Sequence, residues 1–258
     1  MIRRHRGHNW LLIPQHEHAR LAGEVATAWG NAATPPLPLA EPLLAAIFQH
    51  DQGWIEWERN PTVDPATGIP REFTEMPLPV SAAIWEKSIA RCAGDSAWGG
   101  LWVSRHFCWL GQRGRDAHLD HEEEVADMDR FLATQQELQE GWRQMLRGSY
   151  REQELAHHEE FGFRALQFFD ALSLWLCCTE QPDPKELPFP TGQTYRLAAG
   201  EEGRISLSPG PLRNSPLTLQ GTGLRIPAQE LPSDAEYRQV LATALPEKLE
   251  WTILDSNQ

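Results

Sequence analysis

Residues 181–190 read QPDPKELPFP, and this proline-rich stretch divides the chain into two parts of different character. All ten histidines lie before residue 159, whereas half of the 20 prolines lie from Pro182 onward. Closely spaced prolines end helices and mark connecting segments. We therefore predict a helical core over residues 1–181 and a β-rich appendage over residues 182–258.

The two parts also differ in hydrophobic periodicity. Before residue 181, apolar residues recur every three or four positions, as in amphipathic helices. After it come short alternating runs that are typical of antiparallel strands: RISLSP at 204–209, LTLQG at 217–221, LRIPA at 224–228 and KLEWTIL at 248–254. One helix is expected near residues 234–244. The predicted fold class is mainly α, with a small C-terminal antiparallel sheet packed against the helical core.

Charge and hydropathy exclude several classes of partner. The formal net charge of −13 repels nucleic acid backbones, and basic residues cluster only at Arg3, Arg4 and Arg6. The N-terminal apolar run is too short for a secretory signal, and no stretch is long enough to span a membrane. We expect neither nucleic acid nor membrane as a partner.

The cysteines indicate the compartment. They lack the CxxC spacing of metal-binding motifs, and two of them are adjacent in an apolar run. Thiols of this kind are typical of the reducing cytoplasm, which is the predicted location. The four positions are Cys92, Cys108, Cys177 and Cys178.

A histidine and an aspartate stand side by side in the apolar stretch AIFQHDQGWIEW, residues 46–57. If one helix runs as far as Gly53, His50 and Asp51 both share a face with Ile47 and point inward. An unpaired carboxylate in an apolar core is costly. Asp51 therefore needs a partner, which is a histidine, a backbone donor or a metal ion.

Two further helices place single polar residues among apolar ones. In QHEHARLAGEVATAWG, residues 15–30, His18 lies on the apolar face, whereas His16 is expected to face solvent. In FGFRALQFFDALSLWLCC, residues 161–178, Asp170 lies within a helix that is apolar on nearly every side. Like the His-Asp pair, His18 and Asp170 therefore each need a partner within an apolar environment.

Four inward polar side chains on three helices predict a metal site. Taken singly, a buried histidine is more often a hydrogen-bonded core residue, and a buried aspartate more often caps a loop or pairs with arginine. Together, His18, His50, Asp51 and Asp170 offer two nitrogen and two oxygen ligands. A set without sulfur suits Mn, Fe, Zn or Mg rather than a structural zinc site.

The order His…His-Asp…Asp resembles that of the HD-domain superfamily of metal-dependent phosphohydrolases, over roughly residues 10–180. Within that superfamily, QHEHARLAGEVATAWG, HDQGW and FFDALSLWLC resemble a divergent bacterial family with no established function. The resemblance implies an HD-like helical core and one metal ion bound by His18, His50, Asp51 and Asp170. It implies hydrolysis of a small phosphorylated substrate, with Asp51 also orienting the metal-activated water.

Three other histidines are candidates for a second metal ion, which some HD proteins bind between the His-Asp pair and the last aspartate. His106, in LWVSRHFCWL, is expected within water-bridging reach of the first ion, as a ligand or beside one. Its alternative role is a histidine packed among aromatic residues. His121 starts the amphipathic helix HEEEVADMDRFL, and His118 lies one turn before it. Either histidine completes the set of metal ligands, or both are solvated residues beside an acidic run.

Arg105, next to His106, is the predicted substrate-binding residue. A guanidinium offers two parallel donors to phosphoryl oxygens. The alternative is a salt bridge at the surface.

Two other functions stay open. Some HD-fold proteins bind two irons and oxidise small polar substrates, and their ligand order matches His18, His50, Asp51, His106, His121 and Asp170. A regulatory or ligand-binding protein with a degenerate site would instead hold no metal. In each case the partner is a small molecule, and an exposed edge of the C-terminal sheet leaves open an assembly of identical chains.

Overall fold

The computed structural model describes residues 1–256. The chain begins with two strands, β1 (Ile2–Arg6) and β2 (Asn9–Ile13). Helices follow: α1 (Gln15–Ala28), α2 (Ala40–Gln49), α3 (Trp54–Arg59), α4 (Leu78–Asp95), α5 (Ala97–Ala117), α6 (Glu122–Leu146) and α7 (Glu152–Cys178). The remainder is mostly strand: β3 (Lys185–Pro188), β4 (Thr194–Ala199), β5 (Arg204–Ser208), β6 (Leu217–Pro227), α8 (Asp234–Thr243) and β7 (Leu245–Asp255).

The strands form one seven-stranded sheet in the order β1-β2-β6-β7-β5-β4-β3. The β5–β7 pair is parallel and the other neighbours are antiparallel. The molecule is 54% helical and 20% strand, and the sheet is a mixed half-barrel. The predicted mainly α, HD-like fold with a small antiparallel sheet is therefore wrong, and an all-α description conflicts with this sheet.

The N-terminal hairpin is the element that the sequence prediction missed. Gly7 has φ +61° in the two-residue loop between β1 and β2, a conformation that favours glycine. β2, with the sequence NWLLI, is buried on both faces: Leu11 and Ile13 join the main core, whereas Trp10 and Leu12 pack in a second cluster. Because both faces are covered, the strand lacks the alternation that identifies a half-buried one.

The C-terminal predictions are confirmed in part. The runs at 204–209 and 248–254 form β5 and β7, and the helix near 234–244 is α8. The runs at 217–221 and 224–228 form one continuous strand, β6, instead of two. Gly223 lies within this strand because a side chain there would overlap Leu11 on β2, at 2.7 Å. Glycine marks a close approach here and not a turn.

Helices α1 and α7 contact both the sheet and the other helices. Trp29, after α1, packs against Phe168 and Phe169 of α7 and against Tyr195 of β4, which ties the helices to the sheet. The predicted division at residue 181 stays a prediction; the sheet takes strands from both sides of it. Among residues 1–256, no helix has the length and apolar composition needed to cross a membrane.

Candidate metal centre

Three segments bring the predicted ligands together. His18 lies on α1, Asp170 lies on α7, and His50 and Asp51 follow the end of α2. His18 and His50 are completely buried and Asp51 is 7% exposed, whereas the Asp170 side chain keeps 15% of its exposure. The four side chains meet as the sequence analysis expected, although the surrounding fold differs.

The His-Asp pair occupies a turn and not the wall of one helix, which corrects the local prediction. Helix α2 ends at Gln49, and α3 begins at Trp54. Gly53 approaches α4 so closely that a Cβ would lie 2.1 Å from the carbonyl oxygen of Ile84. Its N–H donates to Oγ of Ser88 at 2.9 Å. The turn is therefore fixed against α4, and both side chains of the pair reach the same point.

The ligand atoms lie close to one another. Nε2 of His18 is 2.7 Å from Oδ2 of Asp51. Nε2 of His50 is 3.7 Å from the same Asp51 oxygen and 3.4 Å from Oδ1 of Asp170. His18, His50 and Asp51 present atoms within 4.8 Å of one another, and Asp170 adds an oxygen next to His50.

The second nitrogen of each imidazole is already bonded. Nδ1 of His50 donates to the carbonyl oxygen of Ile47 at 2.8 Å. Nδ1 of His18 lies 2.9 Å from Oγ of Ser173, and that hydroxyl donates to the carbonyl of Asp170 at 3.0 Å. Because the Ser173 proton is used, its oxygen accepts from His18. When the two histidines are neutral, both Nε2 atoms are therefore hydrogen-bond acceptors that face carboxylates, which are also acceptors. The contact becomes favourable when a cation, either a proton or a metal ion, lies between each nitrogen and the carboxylate oxygen.

The spacing fits a transition metal. Two ligands that bind one ion at typical metal–ligand distances lie about 3.0–3.5 Å apart. The 3.4 Å and 3.7 Å separations around Nε2 of His50 are close to this range. That nitrogen is also buried without a hydrogen-bond partner among residues 1–256. An ion between His18, His50, Asp51 and Asp170 would give it one, after the shorter His18–Asp51 contact opens slightly.

Electrostatics favour positive charge at the same point. Burial alone would lower the pKa of His50, but Asp51 and Asp170 raise it to about 9. Burial would raise the pKa of both carboxyls, but the neighbouring histidines hold the pKa of Asp51 and that of Asp170 below the usual range. The two carboxylates stay ionised, and without a metal they retain a proton on His50.

His106, on α5, lies on the other side of Asp170. It is 2% exposed, and its Nε2 is 3.7 Å from Oδ2 of Asp170. Burial lowers the pKa of His106, so its ring is neutral near pH 7. Its Nδ1 is buried without a hydrogen-bond partner among residues 1–256. Asp170 therefore directs one oxygen toward His50 and the other toward His106.

A cavity of about 210 Å³ opens beside this cluster. It is lined by His18, Asp51, His106 and Asp170, together with the polar residues Gln15, Thr74, Ser81 and His118. Its other walls are apolar: Trp54, Phe73, Met76, Leu78, Trp85, Phe107, Leu110 and Leu174. Among residues 1–256, no lysine or arginine lines the cavity.

The other predicted residues lie farther from the ligands. Arg105 pairs with Glu159 and Glu160, at 3.3 Å and 2.7 Å, and does not line the cavity. His118 lines the cavity, with Nδ1 2.8 Å from the Gly114 carbonyl oxygen. His121 is exposed at the start of α6.

His16 was expected to face solvent, and its side chain is 43% exposed. Its Nδ1 lies 3.3 Å from Oε2 of Glu58. A hydrogen bond to Glu58 raises the pKa of His16. Its ring therefore has a carboxylate partner away from the cluster.

Sequence analysis missed two residues that the site uses. Ser173 fixes the His18 ring, and Gln15 lines the cavity with its whole side chain buried. Gln15 lies three residues before His18, and Ser173 lies three residues after Asp170, so each shares a helix face with a ligand. The search for inward polar residues that identified the ligands would have found both.

Comparison with known proteins gives a family but no activity. The model of a family described as a protein of unknown function (DUF3891) matches residues 1–228. No curated protein and no solved structure matches the chain. None of these findings links the chain to the HD-domain superfamily.

Proposed function

The chain belongs to the DUF3891 family of unknown function, and we propose that it is a metal-dependent phosphohydrolase acting on a small phosphorylated substrate. One transition metal, Mn, Fe or Zn, or else Mg, would be held by His18, His50, Asp51 and Asp170. The order of these ligands along the chain resembles that of HD-type hydrolases. The likeness concerns the ligand order alone, since the fold differs.

The observation that carries the proposal is the pair of imidazole nitrogens facing carboxylates. Nδ1 of His18 and Nδ1 of His50 are both committed to acceptors, so each Nε2 is directed at Asp51 or Asp170. Histidines that ligate metals are usually oriented in this way by a hydrogen bond from the other ring nitrogen. A protein that required only a buried ion pair would not need two imidazoles that both direct Nε2 at carboxylates.

The neighbouring residues support hydrolysis. A bound ion would supply an activated water and polarise a phosphoryl oxygen. Asp51 would orient that water, because its Oδ2 lies between the two imidazoles and at the cavity wall. His106 is neutral and lines the same cavity, so it can accept a proton from the attacking water as a general base. Since no lysine or arginine of residues 1–256 lines the cavity, the ion has to balance most of the phosphoryl charge.

The test is metal-dependent turnover of phosphate esters. Aryl phosphates suit the apolar walls, so p-nitrophenyl phosphate is a suitable first substrate. The purified protein, loaded in turn with Mn, Fe, Zn and Mg, should hydrolyse it with one of these metals. Asp51→Ala should lose both metal and activity, whereas His16→Ala should keep both. A fully metal-loaded protein that hydrolyses neither aryl nor alkyl phosphates would contradict the proposal.

A di-iron oxygenase is the second candidate, favoured by the position of Asp170. Its two oxygens face His50 and His106 separately, at 3.4 Å and 3.7 Å, as a carboxylate bridging two ions would. The largely apolar walls of the cavity, which include no lysine or arginine among residues 1–256, also suit an uncharged substrate better than a phosphate. Two irons per chain with a mixed-valence signal would favour the oxygenase over the hydrolase. A purified protein without any metal would favour a ligand-binding role.

We also propose a cytoplasmic location. All four cysteines are free, and Cys92 and Cys177 are buried. Burial raises the pKa of the Cys92 thiol to about 12, which makes it unreactive. We further propose that identical chains assemble through an edge of the sheet, β1 or β3. Size-exclusion chromatography with light scattering tests this assembly.

A further inference from the structure

Arg4 is a buried cation that forms no salt bridge among residues 1–256. It is 5% exposed, and its Nε and Nη1 are buried without a hydrogen-bond partner among residues 1–256. A guanidinium does not lose its charge in proteins, and buried charges are normally paired. The basic cluster Arg3, Arg4 and Arg6 therefore contains one residue that requires an anion.

The alternation of β1 explains why Arg4 faces inward. Ile2 and Arg4 are buried on the face of β1 that packs toward α7, whereas His5 is exposed. The acidic groups nearby, Glu180 and Glu247, attract Arg4 but form their salt bridges with other cations. Glu180 lies 3.7 Å from Arg6, and Glu247 pairs with both Arg6 and Arg225.

A cavity of about 320 Å³ lies beside Arg4, separate from the metal centre. It is bounded by β1, the end of α7, the segment 199–205 and residues 248–251 of β7. Arg6 and Lys248 line it as further cations. Glu180, Glu202 and Glu250 also line it, and Glu250 accepts a hydrogen bond from Gln220 at 3.1 Å. These carboxylates limit the charge that a bound anion can carry.

We propose that this cavity binds a small oxyanion, a carboxylate or a phosphate group, on the guanidinium of Arg4. The planar fork of arginine donates two parallel hydrogen bonds to such groups, which a lysine does not reproduce. Arg6 and Lys248, which also line the cavity, add positive charge. Binding gives the buried guanidinium of Arg4 a counter-ion.

Calorimetric titration of the full chain at constant ionic strength tests this, with inorganic phosphate and propionate as probes. One of the two should bind saturably with one site per chain, and the tighter one identifies the class. Arg4→Met should weaken this binding at least tenfold, and Arg4→Lys should weaken it less. Arg196→Met, which removes an exposed arginine from β4 of the same sheet, should bind as the wild type does.

Asp51→Ala separates this site from the metal centre, because phosphate bound to a metal would be lost in that variant. Binding that persists in Asp51→Ala and decreases in Arg4→Met supports the proposal. Failure of both anions to bind the wild type would overturn it, as would unchanged binding in Arg4→Met or binding that disappears in Asp51→Ala. If Arg4→Met does not fold, equal affinity of Arg4→Lys and the wild type would overturn it.

Discussion

The candidate metal centre and the Arg4 cavity are both buried and charged, but they differ in the sign of the charge left unbalanced. At the metal centre, two carboxylates face imidazole nitrogens whose other sides are already bonded, so the missing group is a cation. At Arg4, a guanidinium lacks acceptors, so the missing group is an anion. Helix α7 contributes to both, through Asp170 in its middle and Leu176 near its end.

This difference shows how the chemistry of a site can be inferred from its incomplete hydrogen bonds. Buried polar atoms in native proteins almost always have partners, so an atom without one points to a ligand, ion or water that completes its hydrogen bonds. The two sites should therefore respond to opposite ligands: metals at the first and oxyanions at the second.

Metal removal should produce the largest change in stability. An ion that binds only the folded chain, at a free concentration of a hundred to a thousand times its Kd, adds about 3–4 kcal/mol to the free energy of unfolding. Urea unfolding of the metal-loaded protein with and without a chelator measures this difference. Asp51→Ala is the control, and its stability should not depend on the chelator. A wild-type protein insensitive to the chelator would mean that the buried pair requires no ion.

Ser173→Ala should weaken metal binding about 10–100-fold, because His18 loses the acceptor that orients its ring. Competition with a chromogenic chelator measures the affinity. Ser104→Ala is the matched control, since Ser104 is equally buried and accepts a hydrogen bond from Gln139 at 2.9 Å away from the cavity lining. Equal affinities of the two variants would show that Ser173 does not orient a ligand.

Metal binding should release a proton near pH 7. Without metal, His50 has a pKa of about 9, raised from 6.5, and its ring has to lose a proton to ligate. The apparent affinity should therefore rise about tenfold per pH unit below pH 9. Titration in buffers of different ionisation enthalpy counts the protons released.

The folding stability of the metal-free protein should instead decrease as the pH rises. The raised pKa of His50 stabilises the folded state in full below pH 6.5, and this contribution to stability is lost as the pH rises toward about 9. Metal affinity that does not change with pH would contradict the protonated state assigned to His50.

Arg105→Met should have the smallest effect. Arg105 pairs with Glu159 and Glu160 outside the cavity, and such pairs near the surface contribute about 0–1 kcal/mol. Metal content and turnover should stay at the wild-type level, as inductively coupled plasma analysis and an activity assay would show. A large loss of activity with unchanged stability would instead support the predicted role in binding phosphate.

The ligands could be predicted from the sequence because each interrupts an apolar helical pattern. His18 and Asp170 are single polar residues on buried faces, and periodicity alone identifies them. The His-Asp pair was also found, although its turn was not. The packing of Gly53 against Ile84, which fixes that turn, depends on a helix more than 20 residues away in the chain. Local patterns contain no information about such a contact.

The sheet and the Arg4 cavity could not be predicted in the same way. β2 is buried on both faces and resembles the start of a helical stretch, and its partner β6 lies more than 200 residues later. Arg4 belongs to a basic run that is typical of a solvated surface. Its burial depends on this distant pairing and on α7, so only the tertiary structure shows it.

Elemental analysis of the purified protein shows whether the chain binds a metal ion through His18, His50, Asp51 and Asp170. The wild type and His16→Ala should each contain at least one transition metal ion per chain. Asp51→Ala and Asp170→Ala, each lacking one ligand oxygen, should contain little. Full metal occupancy in both aspartate variants would contradict the account, as would a wild type that binds none of Mn, Fe, Zn or Mg when they are supplied. Either result would leave His18, His50, Asp51 and Asp170 as a buried hydrogen-bonded cluster.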